Sequence, residues 1–228
     1  MPVSAVRGGL NRSLRYHPIE TGEVLERVRE LILGVSGASG SRLALRALVL
    51  FTTSPEIDVL HLVVSRRALL VARDETSRGI KTAADFVAAA GLAPEFASRV
   101  RIHPSEAIDA PIASGSYRTL GMAVLPCSVG TLASIANGLS RGLLQRAADV
   151  CLKERRRLVL GLRETPLSLV HAENILRATQ AGAVVAPVVP AFYAVATLDE
   201  AIDAYLLRVA DLLSVSIETE SYRWKGAP

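Results

Sequence analysis

The stretch RAADVCLKERRRLVLGLRETP, residues 146–166, carries the clearest fold signal in this 228-residue chain. Its centre, LVLGL at 158–162, is a short apolar run framed by charge, which is typical of a strand buried in a parallel sheet. Helical patterns precede and follow it. Working outward, five further apolar runs predict strands that alternate with helices, at 31–35, 59–64, 99–102, 122–125 and 183–186. The alternation predicts an α/β fold, a single doubly wound (Rossmann-like or flavodoxin-like) domain with a mostly parallel sheet over 31–228.

Composition sets the class of protein and of partner. Half of the residues are hydrophobic, enough for a sizeable core, and the net charge of +4 is too mild to indicate nucleic acid. Two cysteines do not form a disulfide framework, so we expect a reduced, cytoplasmic setting. No apolar run reaches the length of a membrane span, and residues 1–30 read as a flexible N-terminal arm without a secretory signal.

A cluster of cations surrounds the strand at 158–162. Arg146 and Lys153 stand seven residues apart, two helical turns, so both project from one face of the preceding helix. Arg163 and Glu164 fall at the carboxyl end of the strand, the edge where open α/β sheets bind ligands. This pattern predicts an anionic, phosphorylated ligand. The alternative is a solvated basic helix end that complements the helix dipole.

Three loops rich in hydroxyl groups follow predicted strands. SGASG at 36–40 joins a strand to a helix, the layout of a phosphate site, although it matches neither the dinucleotide fingerprint nor a Walker loop. Ser65 ends the second strand, and Ser128 with Thr131 opens a later helix. Each has a plainer alternative, as a tight turn or a helix N-cap. Together they predict a cofactor with a phosphate and a flat ring.

Other chemistries are less well supported. Cys127 stands at a helix start and is either a nucleophile or a small packing residue, and we favour packing because no histidine lies near it in sequence. His171 and Glu173 have no further His or Cys at ligand spacing, so we predict no metal.

Six motifs, in order, resemble the UbiX-type flavin prenyltransferases of the flavin-containing cysteine decarboxylase superfamily, over about residues 31–224. They are GVSGASG (34–40), ASGS (113–116), LPCS (125–128), RAADVCLKERR (146–156), RETPLS (163–168) and GAV…PAFY (182–193). The resemblance implies transfer of the dimethylallyl group of dimethylallyl monophosphate to N5 and C6 of reduced FMN. The prenylated FMN would serve a UbiD-type decarboxylase, and the enzyme would be a homododecamer with sites at subunit junctions.

The resemblance also implies roles for individual residues. The FMN-binding residues would be Ala38, Ser39, Gly40, Ser65, Ser128, Val129, Gly130, Thr131 and Arg163. The dimethylallyl phosphate would be held by Tyr193, Arg208, Lys153 and Arg146, and the catalytic residues would be Glu164, Lys153, Arg146 and Ser39.

Two other functions remain open at this point. One is an FMN-dependent cysteine-type decarboxylase, which generally needs a histidine near the flavin. The other is a non-catalytic FMN-carrying subunit of a decarboxylase complex. The chain also departs from its relatives, since Ala194 follows Tyr193 where they often have histidine, and Ile108 stands where some have an aromatic residue.

Overall fold

Six parallel strands form one sheet in the structure, a computed structural model that describes residues 29–189 and 197–217. The spatial order is β3-β2-β1-β4-β5-β6, the doubly wound order in which the topology reverses between β1 and β4. The strands are β1 Glu30–Val35, β2 Val59–Val64, β3 Val100–His103, β4 Gly121–Cys127, β5 Arg157–Leu162 and β6 Val184–Val185.

Helices cover both faces of the sheet. They are α1 Ser41–Thr53, α2 Arg66–Thr76, α3 Ala83–Ala89, α4 Pro94–Ala97, α5 Val129–Ala136, α6 Leu143–Lys153, α7 Leu169–Gln180 and α8 Leu198–Leu213, with a 3-10 turn at Pro111–Ala113. Hydroxyl side chains start several of them, because each accepts a hydrogen bond from an amide of the first turn. Ser65 accepts from the Ala68 amide, and Ser128 accepts from the Thr131 amide.

Alternating side chains of the strands build one apolar core on each face. On one face Leu33, Leu62 and Leu125 pack with α1, α3 and α8. On the other face Ile32 and Leu160 pack with α5, α6 and α7. The near-continuous burial of β4 and β5 is what a central parallel strand requires, since helices cover both of its sides.

The predicted fold class and all six predicted strands are confirmed, with ends that differ by at most two residues. The short helix α4 was not predicted from the sequence. The predicted arm, 1–30, lies outside the described residues except for Arg29 and Glu30, and Glu30 is the first residue of β1. Among the helices of the described residues, none is long and apolar enough to cross a membrane.

Candidate flavin site

Four loops meet at the carboxyl edge of the sheet, and hydrogen bonds of the backbone and of one buried hydroxyl connect them. Buried Ser36 donates its hydroxyl to the Pro126 carbonyl at 3.0 Å and accepts from the Ser128 amide at 2.8 Å. The Ser65 amide donates to a carbonyl of β1, and the Arg163 amide donates to a carbonyl of β4. The edge residues predicted from the sequence therefore lie side by side around the point where the strand order reverses.

A cavity of about 390 Å³ opens at this edge, within the range of small-molecule sites. Ser65, Ser128, Gly130 and Thr131, all predicted from the sequence, line it. The same cavity is also lined by residues that sequence reasoning did not assign, and these bring cations and a carboxylate: Gly37, Arg66, Arg67, Ser105, Glu106, Ser134, Arg141, Gly142, Leu144 and Gln145. No local pattern marks those from the segment after β3 and from the start of α6, because these parts of the chain reach the cavity only after folding.

The amino terminus of α5 presents donors to this cavity. The first amides of a helix have no intrahelical partner, and the helix dipole favours an anion there. Ser128 Oγ takes the Thr131 amide, and it also donates to Thr131 Oγ1 at 3.1 Å. Because Thr131 Oγ1 accepts that bond, its own proton is available to a ligand. The amides of Val129 and Gly130 belong to the same first turn.

The amino terminus of α1 is already occupied by a carboxylate. Glu75, in the last turn of α2, accepts from the Gly40 amide at 3.0 Å and from the Ser41 amide at 2.7 Å. Burial alone would raise the pKa of Glu75, but hydrogen bonds from the Ser39 hydroxyl and from these amides hold it below its ordinary value. Gly40 adopts φ 128°, a conformation suited to glycine. In this structure a carboxylate takes the amides of the loop, and the expectation that the loop receives a phosphate stays a prediction.

The remaining flavin-site residues of the prediction are accessible at the same edge. Ala38, Ser39 and Val129 are half-buried, and Arg163 and Glu164 are exposed. Glu164 accepts a hydrogen bond from the Thr165 amide at 3.0 Å. Both charged side chains therefore face away from their own core, where a ligand or a second subunit can reach them.

Arg146 and Lys153 are held by a different part of the chain. Arg146 donates from Nε to the Ala113 carbonyl at 3.0 Å and pairs with Asp149 at 2.7 Å. Lys153 pairs with Glu154. The helix α6 runs antiparallel to the strands, and Gln145 near its start lines the cavity. Lys153 is eight residues further along the helix, a rise of about 12 Å, and therefore lies near the amino end of the sheet.

Arg208 lies on the opposite face of the sheet from Lys153. It is exposed on α8, which packs through Leu206 and Val209 into one core, whereas α6 packs through Cys151 into the other. One chain therefore does not bring Arg208 and Lys153 together. Tyr193, also predicted for the donor site, lies outside the described residues.

The two cysteines are packing residues in this structure. Cys127 and Cys151 are both buried in the core on the α5–α7 face. Burial raises the pKa of each thiol to about 12, so both stay protonated and unreactive near neutral pH. The packing alternative for Cys127 is the one that the geometry supports.

A part-buried polar cluster lies away from the cavity, under the segment that connects β3 to β4. His61 contacts the His103 ring nitrogen at 2.9 Å and Glu30 at 2.8 Å, and the Tyr117 hydroxyl donates to Glu30. Burial, followed by the charge of His61, lowers the pKa of His103. Within 29–189 and 197–217, no group of three or more His, Cys, Asp or Glu side chains is arranged to hold a metal ion.

Comparison with known proteins gives consistent matches along the chain. The sequence profile of the Flavoprotein family matches residues 19–219. The flavin prenyltransferase UbiX of Neisseria meningitidis serogroup B is 45% identical over 204 residues, which cover 87% of this chain and 98% of that protein.

Two solved structures share the fold at similar identity. The crystal structure of AnUbiX (PadA1) in complex with FMN and dimethylallyl pyrophosphate matches with a TM-score of 0.74 and 37% identity, over 89% of this chain and all of that one. A dodecameric FMN-dependent UbiX-like decarboxylase from Escherichia coli O157:H7 matches with a TM-score of 0.74 and 38% identity, over 86% of this chain and all of that one.

Proposed function

Because the chain belongs to the Flavoprotein family, and within it to the UbiX flavin prenyltransferases, we propose that it transfers a dimethylallyl group from dimethylallyl monophosphate to FMN. The extent of the likeness to these enzymes carries the proposal. The cavity at the carboxyl edge supports it, because its amides, hydroxyls and arginines suit a phosphorylated ligand.

FMN fits the cavity in one orientation better than in the reverse. Its phosphate suits the first turn of α5, where Thr131 and the Val129 and Gly130 amides offer donors. The loop with Ser39 suits an uncharged part of the flavin, because Glu75 would repel a phosphate there. When bound in its reduced form, FMN supplies the N5 and C6 atoms to which the dimethylallyl group is joined.

The cations outside the cavity suit the leaving group. When the allylic C–O bond breaks, its electron pair stays on the phosphate oxygen and the carbon fragment becomes positive. We assign Arg146, Lys153 and Arg208 to the developing phosphate charge, and Tyr193 to a hydrogen bond with it. Glu164, exposed beside Arg163, is assigned to proton transfer in the second bond formation. Arginine and lysine take the place that a metal ion has in many prenyl transfers.

These assignments require more than one subunit at each site. Lys153 lies near the amino end of the sheet, Arg163 at the carboxyl edge and Arg208 on the other face, so no single chain can surround one ligand with all three. We propose a homo-oligomer, as in the dodecameric relative, with sites at subunit junctions. Exposed apolar side chains on and beside α7 support it, since such patches mark contact surfaces: Leu139, Leu167, Leu169, Val170 and Leu176.

The transferase activity is tested by measuring the mass of the flavin after reaction. The purified protein is mixed anaerobically with reduced FMN and dimethylallyl monophosphate, and the flavin is weighed by mass spectrometry. We expect FMN to gain one dimethylallyl unit. Bound FMN that stays unchanged with both the monophosphate and the diphosphate would contradict the proposal.

The shared site is tested by mixing two inactive variants. Lys153→Ala removes a donor-site cation and Arg163→Ala removes a flavin-site cation. If each site combines these residues from different chains, about one quarter of the sites in a mixed oligomer hold both unaltered side chains, and activity returns. Oligomers co-assembled from equal amounts that are no more active than either variant alone would show that one chain forms the whole site.

A cysteine-type decarboxylase is less well supported than the transferase. It would need a histidine beside the flavin, but His61 and His103 contact each other and are absent from the residues that line the cavity. We propose a UbiD-type decarboxylase as the recipient of the prenylated FMN, and the cytoplasm as the location. Direct transfer of purified product to such a decarboxylase would test the former.

A further inference from the structure

The guanidinium of Arg156 contacts the loop at 113–117, which carries the ASGS motif. Its Nη1 donates to the Tyr117 carbonyl at 2.7 Å and its Nη2 to the Gly115 carbonyl at 2.6 Å. Both bonds are part-buried, and a charged donor makes each of them strong. Because the planar fork of an arginine fixes the direction of its donors, two carbonyls held by one guanidinium hold the loop in one place.

The 113–117 loop in turn contacts both cations of α6 that the proposed function assigns to the departing phosphate. Arg146 donates to the Ala113 carbonyl at 3.0 Å. Gly115 lies directly against Lys153, so that a Cβ on residue 115 would stand 2.5 Å from Lys153 Nζ and would overlap the Glu154 carboxylate. The loop backbone is therefore the wall against which the Lys153 ammonium is placed.

Each terminal nitrogen of Arg156 donates one N–H to the loop, to the carbonyls of Gly115 and Tyr117. Its influence on Lys153 passes through the loop. Lysine has a long flexible stem, and without the loop the Lys153 ammonium would keep only its ion pair with the adjacent Glu154, which is itself a flexible side chain. Charge stabilisation of a leaving group needs donors that are already in place when the bond breaks.

We propose that Arg156 is a positioning residue for prenyl transfer, which holds the 113–117 loop against Lys153 and Arg146 so that their charges converge on the departing phosphate. This inference rests on the proposed function. It assigns Arg156 to the donor half of the site and separates it from FMN binding, since the cavity at the carboxyl edge does not include Arg156, Gly115 or Lys153.

The test compares Arg156→Ala with Arg155→Asn. Arg155 is the exposed neighbour, and its φ of 57° is one that asparagine accepts. Loss of the wall misplaces Lys153, and misplacement of about 1 Å costs on the order of 10² in rate. We expect kcat/KM for dimethylallyl monophosphate to fall by that factor in Arg156→Ala, with FMN affinity changed less than twofold. Arg155→Asn should match the wild type in both.

Two further measurements separate positioning from general structural support. Millimolar guanidinium chloride should raise the activity of Arg156→Ala several-fold, whereas sodium chloride at the same ionic strength should not, and neither should stimulate Arg155→Asn. Gly115→Ala places a methyl group against Lys153 Nζ and should reproduce the loss of kcat/KM with FMN binding intact. This variant keeps the proposal testable if Arg156→Ala does not fold.

The possible results are distinct. If the wild type makes no prenylated FMN, the proposed function fails, and this inference fails with it. If the wild type is active and Arg156→Ala keeps its kcat/KM within twofold, Arg156 has no positioning role. A parallel loss of FMN affinity and donor kinetics in Arg156→Ala, without rescue by guanidinium, would make Arg156 a structural residue and would also overturn the inference.

Discussion

Replacing Thr131 by valine tests which helix holds the phosphate of FMN. Thr131 lines the cavity and is 8% exposed, and its hydroxyl accepts from Ser128 Oγ, which leaves its own proton for a ligand. Valine keeps the shape and removes this donor. A hydrogen bond to a charged group contributes about 1.5–3 kcal/mol, which corresponds to about 10- to 150-fold in affinity. The affinity for riboflavin, which has no phosphate, should change little in Thr131→Val.

The assay is the ratio of FMN affinity to riboflavin affinity, measured by quenching of flavin fluorescence. We expect Thr131→Val to lower this ratio at least tenfold. Ser39→Ala is the matched control, since Glu75 already takes the amides beside Ser39, and its ratio should stay within twofold of the wild type. A ratio that falls in Ser39→Ala and not in Thr131→Val would refute the placement of the phosphate at α5.

Three further predictions concern the donor site and two titrating groups. Lys153→Ala and Glu164→Gln should each lower the turnover rate by on the order of 10² with FMN affinity unchanged, as single-turnover mass spectrometry would reveal; unaltered rates in both would remove these roles. Glu75→Gln should cost about 1 kcal/mol of unfolding free energy at neutral pH, because a helix loses its anionic cap. Since the pKa of Glu75 is lowered in the folded state, its contribution to the free energy of unfolding is present above pH 4.5 and is lost as the pH falls through the folded pKa. Chemical denaturation should therefore show that the stabilities of the wild type and Glu75→Gln converge in acid. The folded pKa of His103 is also lowered, so wild-type stability should decline as the pH falls below 6.5, and His103→Asn should flatten that slope if burial is its cause.

The parts of the fold that were predictable are those encoded by local pattern. Apolar runs identified the strands because a parallel strand covered by helices is buried on both sides. Ser65 and Ser128 were predictable at the sheet edge because a residue that ends a parallel strand and begins the next helix must lie at the carboxyl edge of the sheet. The short helix α4 has only four residues, too few for a helical period to stand out.

The parts of the site that were not predictable depend on distant segments. Glu75 reaches Gly40 from 35 residues away, and nothing local to either residue marks the pair. In the sequence Arg156 is one of several cations near a helix end. Its hydrogen bonds to the Gly115 and Tyr117 carbonyls depend on how the 113–117 loop packs in the folded chain. The seven-residue spacing of Arg146 and Lys153 predicts that both lie on one face of α6. It does not predict which end of α6 lies near the cavity.

The separation of the two half-sites follows from the architecture of the sheet. In a parallel α/β fold, helix amino termini gather at the carboxyl edge of the strands, where their free amides suit the phosphate of a flavin. The carboxyl terminus of α6 lies at the other edge, and there the dipole favours cations such as Lys153 in its last turn. The two interpretations of the basic stretch, dipole complement and ligand site, are therefore compatible. The proposed homo-oligomer would bring the two kinds of helix end, from different chains, to one ligand. If the proposed homo-oligomer forms, FMN binding therefore depends mainly on the carboxyl edge of one chain, and prenyl transfer depends on two chains.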